Sequence, residues 1–355
     1  MNTRRATRIA ASLATLAALL AACDREPDFQ HERLLVFGTV VEVSLYGSPQ
    51  DTGDALLEEI EDALARRHAQ WHAWEESELT RFNAELQARG DAAVPDALAP
   101  LLETGLSLAE RTGYRMDPGI GALIEDWGFH GEATEPDTAP PARSTIDAWR
   151  DDPHSAADLR YTDGRVEVAR RDLQLDFGAV AKGIALAELR TVLEEARAEE
   201  AISAGIINAG GDLITVGRPG NRDWAIGVRS PGGQGVLGTL RVDGGDAVFT
   251  SGSYERGFQY DDTWYHHVLD PDTGEPAEGL ESVTVIHDDP ALADAAATAL
   301  LVAGPEEWPQ VAGDLGLRDV LAVAADNTIT ATAPMAERLE LEDDSGAALE
   351  VIQAP

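Results

Sequence analysis

The chain has 355 residues, 44% of them hydrophobic: enough to bury a sizeable core, and too apolar for a globally disordered polymer. Its formal net charge of −37 repels nucleic acid and anionic lipid surfaces. One cysteine excludes an intrachain disulfide and a cysteine metal site, which leaves the chemistry to histidine, carboxylates, hydroxyls and backbone.

The N-terminus reads as a targeting segment. Arg4, Arg5 and Arg8 precede an alanine-rich apolar run from Ile9 to Ala22, too short and too small-sided for a comfortable membrane span. It ends in Leu20-Ala21-Ala22-Cys23, which resembles the lipobox of bacterial lipoproteins, whose cysteine is lipidated and becomes residue one. A plain secretory signal with an incidental Cys23 is the alternative. Removing residues 1–22 takes away three arginines and no acid, so 24 basic residues then face 64 acidic ones, a net charge of −40. A carboxylate-rich surface keeps a protein soluble in salt; recruitment of a basic partner is the other reading. Asp24 after the cysteine implies retention in the inner membrane, as in many enteric-type bacteria. The expected organisation is a signal peptide at 1–22, a polar tether at 23–33, one domain at 34–345 and a tail at 346–355.

Residues 34–47 alternate like a strand, with Gly38 at a bulge. Helical spacing follows from Asp54 to Trp74 and from Ala97 to Arg111, the second stopping at Thr112-Gly113. Residues 131–158 are proline-rich and exposed, with a short helix around Ile146–Trp149. Asp163-Gly164 sits between alternating runs, a strong hairpin signal. A helix spans about Val180 to Ala198. Strands follow in "IINAGGDLITVG", "DWAIGVRS", "GTLRVDGGDAVFTSG", "HHVLDP" and "SVTVIH". Asp289-Pro290 opens a helix ending near Gly304-Pro305, and "DVLAVAADNTITATA" is a strand pair. Helices and strands mix without steady βαβ alternation and without an internal repeat. The expected fold is one large α+β domain, two-lobed, of mixed and mostly antiparallel sheets with flanking helices.

Four stretches could carry chemistry. In "DPALADAAATALLVAG", Asp294 and Thr298 lie four apart on one helix face among alanines. That suits a hard, oxygen-loving cation with room for a bulky ligand beside it; an acid near a helix N-terminus and a space-filling threonine is the plainer reading. In "LDFGAVAKGIALAELRTVL", Asp176 precedes a helix with Lys182-Gly183 in its first turn, where phosphate is attracted; a strand-to-helix corner built from small residues explains it equally. "NAGGDL" suggests backbone closely approached by a ligand, or a bulged hairpin. His266 and His267, adjacent on a strand, point to opposite faces and are poor co-ligands for one metal. One can be buried while the other faces a cleft as a proton acceptor, or both are structural.

These signals occur in one order in a known family. With "SELTRFN", "TGYRMDPGIGALIEDWGF", "TSGSYERGF" and "HHVLDPDTGEP", the chain resembles the ApbE-type FAD:protein FMN transferases, here in lipoprotein form. The resemblance runs from Phe37 to Ala303. It implies Mg²⁺-dependent transfer of FMN from FAD to a serine or threonine hydroxyl of an extracytoplasmic protein, with AMP leaving. By position, Asp294 and Thr298 bind Mg²⁺ through their side chains and Ala179 through its carbonyl. His267 is the base, with His266 supporting it. Asp176, Lys182, the backbone at Val268 and the loop Arg115-Met116-Asp117 contact FAD, and Phe37 and Trp74 offer rings for stacking. The chain departs from the common pattern at Phe37, Trp74 and Ala187-Glu188. Implied partners are subunits of membrane NADH-linked redox complexes and other flavoproteins outside the cytoplasm. The implied location is extracytoplasmic, lipid-anchored, on the periplasmic face of the inner membrane. A metal-dependent FAD pyrophosphatase and a non-enzymatic flavin-binding lipoprotein are the alternatives.

Overall fold

A computed structural model describes residues 29–131, 138–231, 235–342 and 348–353. The signal segment 1–22 and Cys23 lie outside the described residues. Among the described residues no helix is long and apolar enough to cross a membrane.

Nine strands form the central sheet, in the order Phe29–Val36, Thr39–Tyr46, Ala204–Ala209, Asp212–Gly217, Ala247–Gly252, Leu280–His287, Asp319–Ala324, Ile329–Thr332 and Leu349–Ile352. Neighbours are antiparallel except the last pair, which is parallel. Side chains alternate between two buried faces. Ile214, Phe249, Val320 and Ala322 enter one apolar cluster, and Leu213, Val248, Leu321 and Val323 enter the other. Burial on both faces is why "SVTVIH" and "DVLAVA" are so apolar. The first face carries the helices Ala181–Ala198 and Pro290–Asp314. The second is covered by a three-stranded sheet of Leu339–Leu341, Val236–Val242 and Trp224–Arg229, with the short helix Ala333–Arg338. The fold is therefore one α+β domain, mostly antiparallel, as the sequence indicates.

Several local expectations hold for the stated reasons. Asp289 caps its helix by accepting the N–H groups of Ala291 at 3.0 Å and Leu292 at 3.2 Å, with Pro290 at the first helical position. Asp163 and Gly164, at φ 50° and 71°, form the two-residue turn between Leu159–Thr162 and Arg165–Val168.

Others are corrected. The segment read as a tether begins the central sheet at Phe29, pairing through Phe29↔Tyr46, and the segment read as a tail adds the strand Leu349–Ile352. The polar faces of these edge strands hide them from a hydrophobicity reading. Residues 34–47 are not one bulged strand: Phe37 (φ 55°) and Gly38 (φ 66°) are a tight hairpin turn. The helix from Pro290 kinks at Gly304 (φ 72°) and runs on from Pro305 to Asp314. Proline there starts a helical segment rather than ending one. The helix Glu78–Arg89 was hidden in "SELTRFN"; Ser77 and Thr80 make its reciprocal capping box.

Candidate active site

The chemistry-bearing residues gather at one end of the central strands, where the Ala181–Ala198 and Pro290–Asp314 helices cross. Gly183 makes that crossing close. A Cβ on it would stand 2.6 Å from the Pro290 carbonyl oxygen and 2.9 Å from the Ala291 Cα. The contact brings the Gly183 N–H onto Asp294 Oδ2 at 2.7 Å. Gly183 therefore does not close the helical bond to the carbonyl of Ala179. Among the described residues no backbone N–H takes that carbonyl, and no donor bonds the other Asp294 oxygen.

Thr298, one turn along from Asp294, shares a hydrogen bond of 3.0 Å with Ser251 at the end of its strand. Asp294 is buried, and burial pushes its carboxyl well above the usual range. The Lys182 charge pulls it back, while Asp212 and Glu255 add to the rise. Three carboxylates thus share one ammonium. A buried surplus of carboxyl groups over ammonium, beside a hydroxyl and a free carbonyl, fits a hard divalent cation that takes the place of their protons. This oxygen set holds one carboxylate, and among the described residues no cluster of three or more His, Cys, Asp or Glu is arranged to hold a metal. The neighbouring alanines do not wall a ligand space as their size suggests. Ala293, Ala295, Ala296, Ala297 and Ala299 are fully buried and allow close helix packing.

Lys182 donates to Asp212 Oδ2. Burial alone would lower its pKa, but the charges of Asp212 and Asp294 hold it raised, so it remains an ammonium. The N-terminus of its helix is less available to an anion than the sequence suggests. The N–H groups of Val180 and Ala181 go to the Phe177 carbonyl and that of Gly183 to Asp294. The anion-attracting element is the lysine itself.

The strand expected in "HHVLDP" lies earlier: it spans Thr263–His266, and the segment from His267 onward is a loop with one isolated bridge, Leu269 to Pro276. The two histidines differ in burial and in hydrogen-bond partner. His266 is buried with Nε2 on the Ala277 carbonyl at 2.8 Å, and His267 is half-buried. The backbone N–H of His267 donates to the Arg256 carbonyl at 3.1 Å, and its Nδ1 lies 3.2 Å from the same oxygen. A carbonyl only accepts, so Nδ1 carries the proton and Nε2 keeps a lone pair. Burial, then the Arg256 charge, pushes the imidazole down to about 4, so it is neutral at physiological pH. Two indoles brace the loop behind it. The Trp149 indole donates to the Pro271 carbonyl at 2.8 Å and the Trp127 indole to the Gly274 carbonyl at 2.9 Å. Val268 gives its carbonyl to the Ala277 N–H.

An aromatic row leads to the same place. Phe37 meets His68 edge-on at 5.7 Å, and His68 meets His72 at 5.3 Å. His72 Nδ1 accepts the Trp74 N–H at 3.1 Å, and the Trp74 indole donates to Asp176 Oδ2 at 2.8 Å. Asp176 also takes the Gly178 N–H at 2.6 Å, and its burial raises its pKa. Asn83, from the Glu78–Arg89 helix, clamps the preceding residue: it donates to the Leu175 carbonyl at 2.9 Å and accepts the Leu175 N–H at 3.1 Å. Asn83→Leu would strand both buried groups. It is expected to destabilise the protein by about 2–5 kcal/mol in urea unfolding.

Other foreseen contacts turn inward. Met116 is fully buried. Asp117 is occupied by Gly119 N–H at 2.7 Å, Ala156 N–H at 2.8 Å and Ser155 Oγ at 2.5 Å. Arg115 meanwhile pairs with Glu307 at 2.7 Å. Glu188 forms a bidentate pair with Arg67 at 2.8 and 2.9 Å. Asp212, Ser251, Arg256, His68 and His72 were not foreseen. Asp212 follows a Gly-Gly pair and Ser251 and Arg256 lie inside "TSGSYERGF", but nothing in their spacing marks them. A cavity of about 570 Å³ opens on the His266 side, lined by Trp127, Tyr254, Trp264 and Glu281. None of the foreseen cation or FAD residues lines it.

Fold and site define a class: one-domain α+β proteins with a carboxylate–hydroxyl–carbonyl oxygen set, a buried lysine and a neutral histidine at one end of the sheet. Comparison makes this specific. A profile of the ApbE family matches residues 37–321, and the chain belongs to that family. It is 37% identical over 325 residues to a Rhodobacter capsulatus FAD:protein FMN transferase, covering 91% of this chain and 61% of that one. The chain thus spans about three fifths of that relative. A Treponema pallidum FAD:protein FMN transferase is 30% identical, covering 87% and 88%. The crystal structure of the Thermotoga maritima ApbE protein superposes with a TM-score of 0.79 at 29% identity, covering 88% of this chain and 99% of that one. The apo form of Pseudomonas stutzeri flavinyl transferase ApbE gives 0.74 at 27%, covering 88% and 98%.

Proposed function

We propose that the protein transfers the FMN half of FAD to a serine or threonine hydroxyl of a target protein, with Mg²⁺ as cofactor and AMP as leaving group. The observation that carries this reading is the pairing of a neutral His267, its Nε2 lone pair free, with the Asp294–Thr298–Ala179 oxygen set and the Lys182 ammonium. Asp294, Thr298 and the Ala179 carbonyl would hold Mg²⁺. When bound, the ion neutralises charge on the pyrophosphate and polarises it toward attack.

Lys182 holds a phosphate oxygen. Asp176 fixes the Trp74 indole, and Trp74 and Phe37 offer faces to the ring systems of FAD. Val268 offers its backbone, and the loop of Arg115, Met116 and Asp117 supports the same substrate. His267 Nε2 takes the proton of the acceptor hydroxyl. That oxygen bonds to the FMN phosphorus, the phosphorus–oxygen bond to AMP breaks, and AMP leaves with the electron pair. Most of the protein's work is positioning and charge neutralisation.

The Leu20-Ala21-Ala22-Cys23 stretch supports a lipid-anchored protein outside the cytoplasm, and Asp24 supports its retention on the periplasmic face of the inner membrane. Its targets there are flavoproteins such as subunits of membrane NADH-linked redox complexes. Cys23→Ser is expected to move the protein from the membrane pellet to the soluble fraction; a variant that stays in the pellet counts against the anchor. The catalytic reading is tested by following AMP, free FMN and acceptor-bound flavin together. Equal AMP and bound flavin support transfer. AMP matched by free FMN identifies a hydrolase, and bound FAD with no product identifies a carrier.

A further inference from the structure

We propose that Asp212 is a positioning residue for the flavin substrate: its carboxylate aims the Lys182 ammonium at the place where the FAD pyrophosphate binds. This rests on the FAD reading above, in which Lys182 touches substrate and Asp212 does not.

The local sequence puts Asp212 there. Gly210 and Gly211, at φ 70° and 112°, make a tight turn that sets the register Ala209↔Asp212. It is not the bulge that the sequence allowed. Asp212 lies two residues before Ile214, on the face toward the helices, and is only 3% exposed. Its Oδ1 accepts the Thr250 backbone N–H at 3.0 Å and its Oδ2 accepts from Lys182 Nζ. One oxygen is anchored in the sheet and the other holds the lysine.

A lysine is a point charge on a long flexible stem, with three donors and no preferred direction. The bond to Asp212 removes that freedom before substrate arrives and leaves two N–H groups for phosphate oxygens. Asp294 and Glu255 lie within electrostatic reach of the same ammonium. Without Asp212 the lysine can turn to Asp294 and take up a carboxylate that the cation needs. The Lys182–Asp212 pair is neutral, so Asp212 supplies direction more than field. Its loss should therefore fall on turnover rather than on FAD capture.

The test is a double-mutant cycle with Asp212→Asn, Lys182→Met and both together, assayed for AMP release with FAD, Mg²⁺ and acceptor. Asp212→Asn is expected to lower kcat about 10- to 100-fold with little change in KM for FAD. It should add nothing further in the Lys182→Met background. Losses that multiply in the double variant, or an Asp212→Asn protein as fast as wild type, overturn the proposal. A fully active Lys182→Met protein overturns both the placing of Lys182 at FAD and this inference. A wild type that releases no AMP overturns the functional reading and takes this inference with it. Thermal unfolding reports whether each variant folds. If Asp212→Asn does not, Asp212→Glu decides: near-normal kcat supports positioning by the carboxylate, and kcat as low as Lys182→Met contradicts it.

Discussion

Replacing His267 with alanine is expected to slow FMN transfer by about 10²- to 10⁴-fold, the usual contribution of a positioned base. FAD binding should be retained, because the Lys182, Asp176 and Trp74 contacts do not pass through the imidazole. The residue is suited to the task by its surroundings. The Arg256 carbonyl takes Nδ1–H and leaves Nε2 as acceptor. Burial and the Arg256 guanidinium push the pKa down to about 4. The base form thus persists well below neutrality, and the histidine limb of the kcat/KM profile is expected near pH 4 rather than near ~6.5, where a free imidazole titrates. The same shift has a stability counterpart of defined sign. The unfolded chain takes up a proton on this histidine as pH falls through ~6.5, while the folded chain resists until about 4. Stability present above ~6.5 is lost progressively across that window. A limb centred near 6.5, absent in His267→Ala, would show that the imidazole is solvated during turnover.

Asp294→Asn is expected to reduce transfer by on the order of 10²- to 10⁴-fold and to abolish the response to added Mg²⁺, since a carboxylate ligand is replaced by a neutral amide. The fold should survive, because an asparagine oxygen can still accept the Gly183 N–H that Asp294 Oδ2 accepts at 2.7 Å. Titration calorimetry with Mg²⁺ gives a readout independent of turnover. Normal Mg²⁺ affinity in this variant would place the cation elsewhere. Removing the carboxylate also relieves the crowding of Asp294, Asp212 and Glu255 around one ammonium. The variant can therefore gain stability while losing function, a trade expected where like charges are held close for catalysis.

Much of this site was legible because it is local. Asp294 and Thr298 share a helix face by spacing, and Asp289-Pro290 announces where that helix starts. The order of the motifs, which resembles one family, turned four ambiguous stretches into one site. What was not legible depends on partners distant in sequence. Asp212 matters because Lys182 and Thr250, 30 and 38 residues away, converge on its two oxygens. The side chains of Met116 and Asp117 in the loop expected at FAD turn onto the protein, and that too depends on a distant partner: Asp117 is held by Ser155, 38 residues on. The alanines around Asp294 looked like space for a ligand and are instead the means of close helix packing. Residue size alone cannot distinguish a cavity from a tight contact. The edge strands Phe29–Val36 and Leu349–Ile352 escaped because half of each faces water, as their burial patterns show.

The most direct measurement is the intact mass of an acceptor domain after incubation with residues 24–355, FAD and Mg²⁺. The account predicts a gain equal to FMN less one water, with one AMP released per modified acceptor. The gain should be absent with EDTA and with His267→Ala. An unmodified acceptor in the presence of bound FAD, or a gain that survives both controls, would contradict it.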